Sequence, residues 1–226
     1  MKKNLTELVF IVDRSGSMGG LETDTIGGFN ATLNRHRLAD GDAVVSTVLF
    51  DNETKILHDR IPIADVHDMT EQDYQVRGCT ALLDAVGGAI RHISRVHGYL
   101  PDEYRPEHTI FVITTDGYEN ASRKYGYTEV KRLIEDKQEH GWEFLFLGAN
   151  IDAIGEAAKI GIAQDRSATY IADGIGQTVA YDAIADATCA MRCQPAGAMR
   201  MDGAWKKSVE ADTAKRGGKG FRIFGR

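Results

Sequence analysis

The sequence predicts an α/β fold, a doubly wound and mainly parallel central sheet flanked by helices, on three observations. Apolar runs of strand length recur along the chain, helical spacing fills most of the intervals, and the runs are near-continuous rather than alternating. Strands that alternate with helices imply crossover connections, and a strand that is apolar on both sides implies a sheet covered on both faces. At 226 residues, with 42% hydrophobic and 27% charged, the chain can bury a sizeable core and has the make-up of an ordinary globular protein. One domain over 1–195, followed by a basic, glycine-rich tail over 196–226, is the expected division.

The first strand is Leu8–Val12. The segment around it, "MKKNLTELVFIVD", is a poor secretory signal, because its apolar stretch is short, interrupted by Glu7 and closed by Asp13 without a small-residue cleavage pattern. Ile26, Phe29 and Leu33 then follow helical spacing. Ala43–Phe50 is the second strand, with Thr54–His58 a weaker one. Leu82, Val86, Ile90, Ile93 and Val96 mark a helix, Thr109–Thr114 a strand, and Val130, Leu133 and Ile134 a further helix, capped by Thr128 and running through Lys137. After the strand Trp142–Leu147, Asp152 caps a helix over Ala153–Ile160 that Gly161 ends. Ser167–Ala172 is a weak strand, and a last helix runs from about Gln177 to Arg192, with Pro195 marking its end. From Gly203 onward, glycine and basic residues take over, which predicts a poorly ordered tail with no assigned role. Its alternatives are nonspecific binding by Lys206, Lys207, Lys215, Arg216, Lys219, Arg222 and Arg226, or docking by Phe221, Ile223 and Phe224.

Composition also narrows the function. A formal charge of −6 gives no general attraction to nucleic acid or anionic lipid. No segment approaches the roughly 18 unbroken apolar residues of a membrane span, so a soluble protein is expected. Three cysteines, Cys79, Cys189 and Cys193, make no even framework and suit a reducing cytoplasm. Cys189 and Cys193 share a helix face and are expected to be two buried small residues.

The chemistry concentrates at strand ends. In an open α/β sheet the loops after the carboxyl ends of the strands form the binding crevice. Asp13 closes the first strand, and Ser15 and Ser17 follow in a turn that Gly16, Gly19 and Gly20 let fold tightly. Asp116 closes "HTIFVITTD" and Thr80 stands just before the Leu82–Val96 helix, so five oxygen-bearing side chains from three loops converge. Each stretch alone is ordinary, since a Ser, Thr or Asp at a helix start is commonly a cap and Asp-Gly a common turn. Their combination is the signal.

"DRSGS" at Asp13–Ser17 resembles the D-x-S-x-S element of the metal-ion-dependent adhesion site of von Willebrand factor A (VWA) domains. Thr80 and "TDG" at Thr115–Gly117 resemble the other two elements, in the same order, and the similarity extends from about Leu5 to Arg192 as in stand-alone bacterial and phage members. The resemblance implies that Ser15, Ser17 and Thr80 bind a metal directly, with Asp13 and Asp116 acting through water or as alternative ligands. An all-oxygen set favours Mg²⁺, with Mn²⁺ or Ca²⁺ as alternatives. The family further implies a protein partner that presents Asp or Glu to the metal, in bacteria often an ATPase or a multi-protein complex.

Arg14 and Arg77 are candidates for a rim holding the partner's acid, because guanidinium pairs bidentately with carboxylate. Asp51 and Asn120 are candidates for ordering water near the metal or for stabilising a turn, and Asn120 is counted with Arg14 and Arg77 as a candidate for binding the partner. An enzyme is not expected. A phosphate-ester hydrolase is the alternative reading, but an aspartate of that type needs a second acid two residues later, where this chain has Ser15. Neither a serine-hydrolase elbow nor a nucleotide-binding P-loop is present, and the histidines, His92 and His97 included, form no H-E-x-x-H pair. A VWA domain with a purely structural role is the other alternative.

Overall fold

The structure is a computed structural model that describes residues 1–194 and 202–217. Strands β1 (Lys2–Asp13), β2 (Asp42–Phe50), β3 (Thr54–Pro62), β4 (Pro106–Thr115), β5 (Trp142–Ala149) and β6 (Ser167–Tyr170) are joined through helices α1 (Glu22–Leu38), α2 (Leu82–Tyr99), α3 (Tyr127–Glu139), α4 (Ala153–Lys159) and α5 (Gly174–Arg192); α6 (Lys207–Gly217) follows. Among the described residues the strands form one sheet in the order β3-β2-β1-β4-β5-β6. The pairs are parallel except for β2 with β3, whose short connection requires a hairpin. The chain leaves β1 toward β2 and later returns to its other side as β4. This reversal puts a switch point between the carboxyl ends of β1 and β4, where adjacent loops diverge and leave a crevice.

The central strands are apolar on both sides because both sides are covered. Leu8, Phe10 and Val12 pack with Phe29 and Leu33 of α1 and with Ala180, Ala183 and Ile184 of α5. Val9 and Ile11 face the opposite way, with Phe111, Ile113, Phe144 and Phe146, and meet α2, α3 and α4. Fully burying each such side chain stabilises by roughly 1.5–3 kcal/mol, so the two layers hold the sheet ends in place. Helix α1 carries no strong apolar stripe, yet Thr25, Phe29, Thr32, Leu33 and His36 form its buried side. Arg192 of α5 closes that contact by donating to the carbonyls of His36 and Gly41 and to His36 Nδ1.

Several local expectations give way. Helix α3 starts at Tyr127 after Gly126, so Thr128 lies inside its first turn and is not its cap. Asp152 does cap α4, accepting from the Gly155 amide at 2.9 Å. Helix α5 starts earlier than expected, at Gly174, where Asp173 accepts from the Gly176 amide. Cys189 is half-buried and Cys193 exposed, so they are not a buried pair.

The expected loose tail is helical from Gly203 through Gly217. Val209 is buried there, and Lys206 Nζ donates to the carbonyls of Gln164 and Ser167. Thr213 Oγ1 donates to the Thr169 carbonyl, so α6 lies along the outer edge of β6. Residues 195–201 and 218–226, with Pro195, Lys219, Phe221, Arg222, Ile223, Phe224 and Arg226, lie outside the described residues.

Candidate metal centre

At the switch point, β1 delivers Asp13 and then turns sharply. The Asp13 carboxylate accepts from the Ser15 amide at 2.7 Å, and a short 3-10 turn over Gly16–Met18 brings the next hydroxyl back. Ser15 Oγ and Ser17 Oγ consequently stand 3.1 Å apart. Ser17 Oγ donates to Asp116 Oδ1 at 2.6 Å, which joins the β1 loop to the β4 loop. The Gly16 amide donates to the Gly78 carbonyl at 3.1 Å, which draws in the segment carrying Thr80.

Thr80 is buried and held from both of its backbone groups. Its amide donates to Asn120 Oδ1 at 2.9 Å, and its carbonyl accepts from the amides of Asn120 and Ala121. A Cβ placed on Gly117 would lie 2.7 Å from Thr80 Oγ1 and 3.4 Å from Ser17 Oγ, so the two hydroxyls flank one spot that only a glycine leaves open. The structure thus gathers Asp13, Ser15, Ser17, Thr80 and Asp116 around one crevice.

The electrostatics are unbalanced. Burial pushes the Asp13 carboxyl up to about 6, against the lowering effect of hydrogen bonds from Thr115 Oγ1 and from Ser15. Burial also raises the Asp116 carboxyl, with the Ser17 hydrogen bond opposing it. Neither carboxylate has an ion pair with a basic side chain among the described residues. Buried anions without a counter-charge favour neutralisation by a proton or by a cation. Three hydroxyl oxygens and two carboxylates form a hard donor set that fits Mg²⁺, Mn²⁺ or Ca²⁺. Among the described residues no group of three or more His, Cys, Asp and Glu is suited to a metal, so an ion in this crevice depends on the hydroxyls.

The second-tier residues have structural partners. Arg14 does not stand on a rim: its side chain is 7% exposed and its guanidinium pairs with the buried Asp51 at 3.0 Å. Asp51 also takes Arg77 Nε at 2.9 Å and the Glu53 amide, so it ties the β1, β2 and Thr80 segments together. Arg77, 56% exposed, is at the surface but shared with Asp51 and Glu53. Asn120 is a positioning group for Thr80. His92 meets Asp59 at 2.8 Å and His97 meets Glu7 at 3.3 Å, both away from the crevice.

Sequence reasoning missed several supports. Thr115 donates to Asp13 Oδ2, and the Tyr74 hydroxyl donates to the Asp13 carbonyl from the long segment after β3. Glu119 accepts from the Leu83 amide in the first turn of α2 and from the amides of Ala121 and Ser122 in its own loop. Thr115 could have been flagged from the "TTD" stretch, whereas Tyr74 and Glu119 act across distances that no spacing rule encodes.

No protein-family profile and no curated protein matches this sequence. Solved structures do match its fold. The von Willebrand factor domain of the pili tip protein Mfa5 from Porphyromonas gingivalis superposes with a TM-score of 0.60 at 9% identity, over 86% of this chain and 96% of that one. Proximal thread matrix protein 1 from the mussel byssus gives 0.57 at 13% identity in a form with a zinc-occupied MIDAS motif. Manganese-loaded TRAP from Plasmodium vivax gives 0.54 at 15% identity, over 79% of this chain and 73% of that one. This chain covers 84% of its own length in the mussel match but spans only 47% of the mussel protein. At these identities the likeness concerns the path of the backbone, and on that ground the fold of this chain is that of a von Willebrand factor A domain.

Proposed function

We propose that the crevice holds a divalent cation, Mg²⁺ or alternatively Mn²⁺ or Ca²⁺, and that the protein is a metal-dependent interaction module, not an enzyme. The observation that carries this reading is the meeting of Ser15, Ser17 and Asp116 at 3.1 and 2.6 Å beside the uncompensated Asp13. Ser15, Ser17 and Thr80 would hold the ion directly, with Asp13 and Asp116 behind them or in their place. When bound, the ion supplies positive charge that an Asp or Glu side chain of a protein partner can ligate. The chain's own residues do the rest: Asn120 holds the Thr80 backbone and Gly117 leaves room beside its hydroxyl, Thr115 and the Ser15 amide orient Asp13, and Asp51 locks the base of the Ser15 turn through Arg14.

Neighbouring folds support the reading in kind, since one structure carries zinc in a MIDAS motif and another is loaded with manganese. Among the described residues no helix is long and apolar enough to cross a membrane. A cytoplasmic site of action, with an ATPase or multi-protein complex as partner, is part of the proposal. Titration calorimetry with Mn²⁺ tests it: saturable one-to-one binding is expected, with a loss of at least about tenfold in Ser15→Ala and Thr80→Ala, since each variant removes one inner ligand. Equal affinity in the wild type and both variants would rule the site out.

A further inference from the structure

The cleft beside Thr80 indicates what kind of partner this face takes, an inference that rests on the cation-capture reading above. About 900 Å³ in volume, it lies between Asn52 and Glu53 of the β2–β3 turn, the neighbours of Thr80 in sequence, and the loop from Asn120 to Lys124. It adjoins the segment that carries Thr80, because Cys79 and Ala81 flank that residue and Asn120 holds its amide.

Its acids are already occupied. Asp84 accepts from the backbone amides of Arg123, Lys124 and Tyr125, and Glu53 pairs with Arg77. The side chains of Arg123 and Lys124 are exposed, and neither has an ion pair among the described residues. Their backbone is nonetheless fixed by Asp84, and Glu119 fixes the residues just before them. Two cationic side chains therefore stand on a held loop that lines the cleft beside Thr80. A held backbone leaves only side-chain freedom to lose on binding, which favours capture of an anion there.

We propose that the partner presents an acidic segment and not a single carboxylate: one Asp or Glu for the cation, and at least one more for Arg123 and Lys124. Guanidinium and ammonium groups would take the second carboxylate through charge-assisted hydrogen bonds. The net charge of −6 opposes any polyanion, and more strongly a long phosphate backbone than a short segment carrying two carboxylates.

The test uses the full chain saturated with Mn²⁺ and two synthetic tetrapeptides, tetraglutamate and a peptide with one glutamate among glycines. Their affinity ratio contains a statistical factor that is the same for every protein variant. In Arg123→Glu/Lys124→Glu, and less strongly in Arg123→Gln/Lys124→Gln, the ratio is expected to fall by roughly three- to tenfold, as two exposed ion pairs permit. Mn²⁺ affinity should not fall in either variant, and the wild-type preference should shrink as salt rises from about 0.05 to about 0.5 M. An unchanged ratio with Mn²⁺-dependent binding of both peptides overturns this inference and leaves cation capture standing. Single-glutamate binding that persists in EDTA overturns cation capture itself, and no binding of either peptide overturns both. A single-stranded oligonucleotide that binds more tightly than tetraglutamate, with the same loss in the variants, overturns the choice of a protein partner.

Discussion

Asp13 is the residue at which the fold and the site conflict most. Its carboxyl is fully buried, with its proton affinity raised to about 6 by that burial. An acid whose folded pKa lies above its unfolded one binds more protons when native, so its contribution to stability is full below about pH 4 and is lost as pH rises toward 6. His36 and His58, held by burial at about 3 and 4, change stability in the opposite sense over an overlapping range. The Asp13 effect is therefore read as a difference. In EDTA, Asp13→Asn should be more stable than wild type by on the order of 2–3 kcal/mol above pH 6, with the gap closing near pH 4. Urea midpoints across that range check it, and saturating Mn²⁺ should remove the gap by stabilising the ionised wild type. Gly117 offers a second test, because an added Cβ would lie 2.7 Å from the hydroxyl of Thr80, a β-branched side chain on a backbone held by Asn120. Gly117→Ala should keep the fold, cost about 1–3 kcal/mol and weaken Mn²⁺ binding at least about tenfold. Unchanged Mn²⁺ affinity in that variant would remove Thr80 from the ligand set.

Among the elements, α2 depends most on a distant loop. Its preceding residue Ala81 offers no side-chain cap, and the early amides are instead served by Glu119 to Leu83 and by Ser122 Oγ to Asp84. Glu119→Ala should therefore cost about 2–3 kcal/mol, the loss of charge-assisted bonds at a buried helix end, and speed hydrogen exchange at the Leu83 amide. Exchange unchanged at Leu83 would show that the cap is not needed. The central strands were legible because burial on both faces leaves an unbroken apolar run, as in Leu8–Val12 and Ile110–Ile113. Helix α6 was not, because its glycine and basic content outweighed the spacing of Trp205, Val209, Thr213 and Arg216, which recur every three or four residues. Thr128 was misread for a similar reason: the residue type suits a cap, but Gly126 already supplies the extended backbone before the first turn. Likewise, the five centre residues could be found from three short motifs, while the use of Arg14 by Asp51 depends on a pairing between strands that no local pattern contains.

On the scale of the whole molecule, the sheet is closed differently at its two edges. The β3 edge is an antiparallel hairpin strand, while the β6 edge lies under α6, with Arg216 reaching the α5 cap residue Asp173. An uncovered edge strand offers unpaired backbone groups to other chains. A chain ending at Gln194 is expected to melt roughly 5–10 °C lower, given the loss of several kcal/mol from the buried Val209 and the Lys206 and Thr213 bonds. It should also self-associate with rising concentration in sedimentation velocity. A truncated protein as stable and as monomeric as the full chain would mean that α6 adds nothing to the fold. These contacts reach across the expected division at residue 195.

The proposed cation binds where the β1 and β4 loops part. Anomalous diffraction from crystals grown with Mn²⁺, with data collected at the manganese edge, tests it most directly. A single strong peak is expected within coordination distance of Ser15 Oγ, Ser17 Oγ and Thr80 Oγ1, with Asp116 in contact directly or through water, about 2.1–2.3 Å for direct oxygen ligands. A peak only elsewhere on the surface, or none in a crevice whose five side chains are well ordered, would contradict it.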